Sequence, residues 1–210
     1  MEIISKALFW VANSLLIPDI ILLLFLFGRS LLLTGSFYNQ FMVKRKNDKM
    51  IGNSIKNLKV LGMDNLRTAV SSCETSLFTR YMTDLLSNNV GEESYADFLI
   101  SNFENEAEKD LSLSKMLTKM GPILGLMGTL IAMSPALVGL STGDITSMAY
   151  NMQVVFATTV VGLVISAVGI VTQQTKQRWY AKDVNNLDYV SRIMNEQKNN
   201  QQDEQKEENK

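Results

Sequence analysis

Three stretches of the chain are apolar for long enough to cross a bilayer, and polar stretches separate them. The first opens with Ile3, Ile4, Ala7, Leu8, Val11 and Leu15 at helical spacing, with Phe9 and Trp10 suited to a membrane interface. It continues through IPDIILLLFLFGRSLLL to Leu33. The pattern predicts a short outer segment at 1–7 and a first span over 8–32, with Pro18 either starting the buried part or kinking it. A second span is predicted over 117–140 and a third over 145–172, joined by the tight polar turn STGD at 141–144. At 1.5 Å of rise per residue, each covers about 30 Å of hydrocarbon.

The intervening block, 33–116, is polar but keeps a helical period. Ile51, Ile55, Leu58 and Leu61 fall on one face, and Leu66, Val70, Leu77, Leu85 and Leu86 continue less regularly. NNVG at 88–91 reads as a turn. Tyr95, Phe98, Leu99, Phe103, Ala107 and Leu111 then form a stripe that runs into the second span without a breaker. After the third span a helix is predicted over 173–194, and the low-complexity end, 195–210, is predicted to be disordered. No strand-type alternation competes, so the fold class is all-α: a polytopic membrane protein with three transmembrane helices and a helical cytoplasmic domain.

Charge sets the orientation. Lys44, Arg45 and Lys46 follow the first span, Lys115 and Lys119 precede the second, and Lys176 and Arg178 follow the third. The loop at 141–149 has no Lys or Arg. The positive-inside rule therefore places the 33–116 block and the C-terminus in the cytoplasm, with the N-terminus and the short loop outside. Composition removes several functions. Net charge is −1, which gives no reason to expect nucleic-acid binding. One cysteine, Cys73, allows no internal disulfide, and the absence of histidine removes the commonest metal ligand and catalytic base. No nucleophile–base set, metal spacing or phosphate loop is visible, so neither an enzyme nor a cofactor is expected. The N-terminus lacks a basic region and a cleavage site of the secretory type.

The second span is unusual in its glycines. GPILGLMGTLIAM, from Gly121 to Met133, has three glycines and a proline but no charge, although Gly costs about 1 kcal/mol relative to Ala in a helix interior. Gly121, Gly125, Gly128, Thr129, Ala132, Ala136 and Gly139 supply small side chains at helical spacing. Thr159, Gly162, Ser166, Gly169 and Thr172 do so in the third span. Such faces let helix backbones approach closely in lipid. The hydroxyls leave two readings open. A Thr inside a span can face a water path, donating and accepting without carrying charge. It can equally bond back to its own helix. Asp19 is the one acid of the first span, hence a functional candidate. Its place directly after Pro18 favours a helix-start carboxylate near the headgroups.

PILGLMGTLIAM (122–133) resembles the second-helix motif of the MotA/TolQ/ExbB proton channel family, through Pro122, Leu124, Gly125, Leu126, Gly128, Thr129 and Met133. ATTVVGLVISAV (157–168) resembles its third-helix motif through Thr159, Gly162 and Leu163. The three-span layout is like that of ExbB and TolQ. The resemblance implies a pentamer in the cell inner membrane, its second and third helices lining a central pore. Within that pore it implies two copies of a single-span partner, similar to ExbD, TolR or MotB, whose membrane Asp binds the ion. It implies Thr129 and Thr159, with Thr158 beside them, as pore-lining hydroxyls. Gly121, Gly125, Gly128, Ala132, Ala136, Gly162, Ser166 and Gly169 are then the helix-packing residues. Thr does not titrate, so the carboxylate must come from elsewhere. The chain departs from the family at Val154, where many members carry Glu, and at Val168 and Ala132. The implied function is that of a stator subunit turning ion-motive force into mechanical work. A non-conducting membrane scaffold is the alternative, and a sensor is disfavoured by the short outer loop.

Overall fold

The computed structural model describes residues 2–87 and 93–208, and its regular secondary structure there is entirely α-helical. The helices are α1 (Glu2–Ser14), α2 (Leu16–Lys56), α3 (Leu58–Ser71), α4 (Leu77–Ser87), α5 (Glu93–Thr142) and α6 (Ile145–Glu208). Three stretches are long and apolar enough to cross a membrane: Phe9–Lys56, Ser94–Thr142 and Ile145–Asn200. The turn expected at 88–91 and the side chain of Leu61 lie outside the described residues.

Helix boundaries follow local chemistry. The apolar run expected as one span is divided at Leu15, between α1 and α2. Pro18 lacks the N–H that would bond the Ser14 carbonyl, and its ring crowds that carbonyl. Ser14 Oγ turns back to Val11 O at 2.8 Å. The α5–α6 corner is a Schellman-type stop. Gly143 adopts a positive φ of 76°, and Asp144 N donates to Gly139 O at 2.8 Å. Asp144 then caps α6, its Oδ1 accepting from Ser147 N at 3.0 Å. At the start of α4, Ser76 and Thr79 cap each other reciprocally, with Ser76 N donating to Thr79 Oγ1 at 2.7 Å and Thr79 N to Ser76 Oγ at 3.2 Å. α6 runs to Glu208, through a segment read from sequence as a disordered tail; that segment has no Gly or Pro and is rich in Gln, Glu and Lys, which favour helix.

The chain forms two compact units, one from Met1–Ser36 and Ser112–Gln174, the other from Phe37–Leu111 and Thr175–Lys210. In the first, Leu23, Leu26 and Leu33 of α2 pack with Leu117 and Leu124 of α5 and Ile165 of α6. The outward positions stay apolar: Ile21, Leu24, Leu126, Leu130, Phe156 and Val160 are all more than half exposed. That surface suits lipid rather than water.

The second unit has a water-soluble pattern, with a buried core and a charged exterior. Phe103, Met82, Leu66 and Val190 are fully enclosed, and Ile51, Ile55, Leu58, Leu85, Leu86, Leu99 and Leu187 surround them. Phe98, read as part of the apolar stripe, is exposed instead. It lies about 100° around the helix from Leu99, which takes the inward position. Two ion pairs, each with one buried partner, tie α6 to this unit. Lys176 Nζ donates to Asp110 Oδ2 at 2.7 Å, and the Tyr180 hydroxyl joins the same oxygen at 2.6 Å. Lys44 donates to Asp183, which is 2% exposed.

Burial pushes the Asp183 carboxyl up to about 6, against the opposing pull of Lys44. A raised carboxyl favours the folded state while protonated. That contribution is full below about pH 4, where both states hold the proton, and is lost as pH rises through about 6. Thermal unfolding of the full-length protein in detergent, followed across that window, should therefore lose stability relative to Asp183→Asn as pH rises. Parallel curves for the two proteins would show that Asp183 does not titrate there.

Candidate functional site

The small residues of α5 and α6 meet along one seam. A Cβ built on Gly121 would lie 2.6 Å from Gly162 O and 2.9 Å from Ser166 N. One on Gly162 would lie 2.5 Å from Gly121 O and 2.9 Å from Gly125 Cα. Both are too close for any real side chain, so glycine is required at each. Gly125 is less constrained, its nearest contact being Thr158 O at 3.2 Å. A Cβ on Gly169 would lie 2.6 Å from Thr118 N, again too close for a real side chain. Ala132 and Ala136 are fully enclosed.

This approach answers a problem created by Pro122. Proline at 122 removes the donor that would satisfy the Thr118 carbonyl. Ser166 Oγ, reaching from α6, donates to that carbonyl at 3.1 Å. In hydrocarbon no water is at hand to do so. One turn away, the Thr172 and Ser114 hydroxyls stand 3.2 Å apart, both buried. Of the small residues named from sequence, Gly121, Gly125, Gly128, Gly162, Ser166 and Gly169 meet across the two helices.

The three threonines have different settings. Thr129 Oγ1 donates to Leu126 O at 2.6 Å and Thr159 Oγ1 to Val155 O at 3.0 Å. Both side chains are part-exposed. Thr129 lies one helical turn beyond Gly125, and a Gly125 Cβ would stand 3.5 Å from Thr159 Cα. Both residues are thus placed by Gly125, Thr159 across the seam from it and Thr129 one turn along α5. Each spends its proton on its own helix and keeps oxygen lone pairs free to accept. Thr158 is buried, bonds back to Val154 O and Val155 O, and packs against Gly128.

Asp19 is where the structure departs most from the sequence reading. Its side chain is 1% exposed, and neither carboxylate oxygen has a hydrogen-bond partner. A Cβ on Gly128 would lie 2.9 Å from Asp19 Oδ2 and 2.9 Å from Thr158 Oγ1. Gly128 is halfway along 117–140, and Thr158 halfway along 145–172. The carboxyl is thus level with the middle of both apolar stretches, not with the headgroups. The available signal was its place near the centre of the apolar run from Ile3 to Leu33, because α1 extends that run beyond Pro18. No group of three or more metal-ligating side chains occurs among the described residues.

Gly162→Ala should separate α5 from α6 and destabilise the chain by about 1–3 kcal/mol, more than Gly125→Ala. Ser166→Ala should cost about 1–2 kcal/mol by leaving the Thr118 carbonyl unpaired. Unfolding of the purified protein in detergent checks the ranking. Equal tolerance at 162 and 125 would contradict the close approach.

Among curated proteins, none matches the chain. The model of the MotA/TolQ/ExbB proton channel family matches residues 70–189, which takes in α4, α5 and the apolar part of α6. That match covers more than half of the chain, and it contains the glycine seam with Thr129, Thr158 and Thr159 while leaving Asp19 outside. With three helices long and apolar enough to cross a membrane, and with the small-residue seam inside the matched region, the chain belongs to the MotA/TolQ/ExbB proton channel family.

Proposed function

We propose that this chain is the channel and stator subunit of an ion-driven motor in the inner membrane, assembling as a pentamer around two copies of a single-span partner. The partner, resembling ExbD, TolR or MotB, supplies the carboxylate that carries the ion. The chain's N-terminus and its 141–144 turn lie outside, and its second unit is cytoplasmic, in keeping with the Lys/Arg distribution.

One observation carries the reading. Thr129 and Thr159, from the two family-like motifs, lie about Gly125 of the α5–α6 seam, one a turn along α5 and the other across from it, part-exposed amid apolar side chains. Their free lone pairs suit a file of water or a proton donor passing the seam. The glycines make this possible by holding the two backbones together without bulk. A membrane potential supplies about 2.3 kcal/mol per charge per 100 mV, which is the energy the motor would convert. The ion is a proton in this reading, and lipid covers the remaining apolar faces.

The scaffold reading has support of its own, because all three threonines donate to their own helices. In that case the hydroxyls only satisfy backbone carbonyls, and the oligomer anchors a partner without conducting.

Proton uptake by vesicles holding the purified complex, driven by an imposed potential, separates the two. Thr159→Val should cut it by more than about tenfold with the complex unchanged in size, and Thr159→Ser should retain much of it. Wild-type vesicles that take up no more protons than empty ones would favour the scaffold.

A further inference from the structure

The buried carboxyl of Asp19 has no role in the mechanism above, which places the titrating group on the partner. We propose that Asp19 is a second proton-binding site, carried by the channel subunit itself in mid-membrane and lying on the ion route. The proposal rests on the channel reading and extends it.

Three features of the site support this. First, the carboxyl is enclosed by its own chain, so its burial does not depend on any assembly. Second, both oxygens lack a hydrogen-bond partner, which for an ionised group in an apolar interior is a severe cost. Among the described residues Asp19 has no ion-pair partner, and on α5 the nearest charge is Lys119, nine residues or about 14 Å from Gly128. α5 and α6 carry no charge between Gly121 and Thr175 except Asp144, at the turn. On α2 the next charge is Arg29, ten residues or about 15 Å along. On α1 the charged residues are Glu2 and Lys6, thirteen or more positions before Asp19. Third, the one polar side chain known to share its setting is the Thr158 hydroxyl, across Gly128. Its proton is committed to the α6 backbone, so it has none to give to an ionised carboxylate. The Asp19 oxygens are unpartnered there, a setting that suits the neutral acid better than the charged one.

The ligand is a proton rather than a metal ion. A hard cation would want several oxygens, and two carboxylate oxygens with one hydroxyl are all that these side chains provide. Gly128 completes the arrangement. Any side chain there would collide with both Asp19 and Thr158, so this glycine admits the carboxyl to the seam at the level of the threonines. Thr158 adjoins Thr159 in the chain, so the buried carboxyl and the proposed pore hydroxyl are served by neighbouring residues of α6.

A lipophilic carbodiimide, which modifies protonated carboxyl groups within membranes, tests this on the full-length protein in its native complex. Mass spectrometry locates the adduct, with Asp19→Asn as the control. The expected result is an adduct on Asp19 whose rate of formation falls about tenfold per pH unit above the titration point. Asp19→Asn should also reduce potential-driven proton uptake by more than about tenfold with the complex intact. No adduct at any pH, or one formed at the same rate at every pH, would overturn the site while leaving the channel reading in place. Protection by sodium at fixed pH would overturn the proton as its ligand. Normal uptake by Asp19→Asn would remove the site from the ion route. Wild-type vesicles that pass no protons would overturn the channel reading and with it the route, and the pH dependence of labelling would still decide whether Asp19 binds a proton.

Discussion

The membrane unit depends on the backbone-to-backbone approach of α5 and α6. Gly121 and Gly162 occupy each other's side-chain space, so each backbone stands where the other residue's Cβ would be. In lipid there is no hydrophobic force to draw helices together, and contact of this kind must come from packing and from polar bonds. The seam has both. Its glycines bring Ser166 within reach of the carbonyl that Pro122 leaves unpaired, so a helix defect becomes a bond between helices. The helix-weakening residues of the second span are therefore what hold it to the third.

The same approach places polar groups at mid-depth without adding bulk. Thr129 and Thr159 border the seam, Thr158 is sealed within it, and Asp19 enters from α2 at the level of Gly128. Each hydroxyl has satisfied its donor internally, so what the seam offers a passing ion or a neighbouring acid is acceptor oxygens. A channel wall of this kind can hold water and relay a proton only alongside a group that titrates. On the channel reading proposed above, the carboxyl of Asp19 would be such a group, held beside Gly128.

Much of this was legible in the sequence, for physical reasons that differ by element. Hydrophobic run length marks membrane helices because the bilayer core has a fixed thickness, and α5 and α6 meet at the corner that STGD marks. The small-residue stripe was readable because only close packing explains so many glycines in so apolar a helix. The division at Leu15 was half legible: Pro18 signalled a defect, but not that α1 would continue the apolar run beyond it. That uncertainty misplaced Asp19. A carboxylate after a proline reads as a helix start, and only the contact with Gly128, more than a hundred residues away in sequence, shows its true level. Phe98 was misassigned for a simpler reason: Leu99 beside it, about 100° around the helix, takes the inward position and leaves Phe98 exposed.

What decides the account is the company the chain keeps. The complex should be extracted gently from its native membrane, weighed intact, and its components identified. The account predicts five copies of this chain with two copies of a single-span protein that carries an acidic residue within its span. A homo-oligomer recovered repeatedly without any such partner would contradict it.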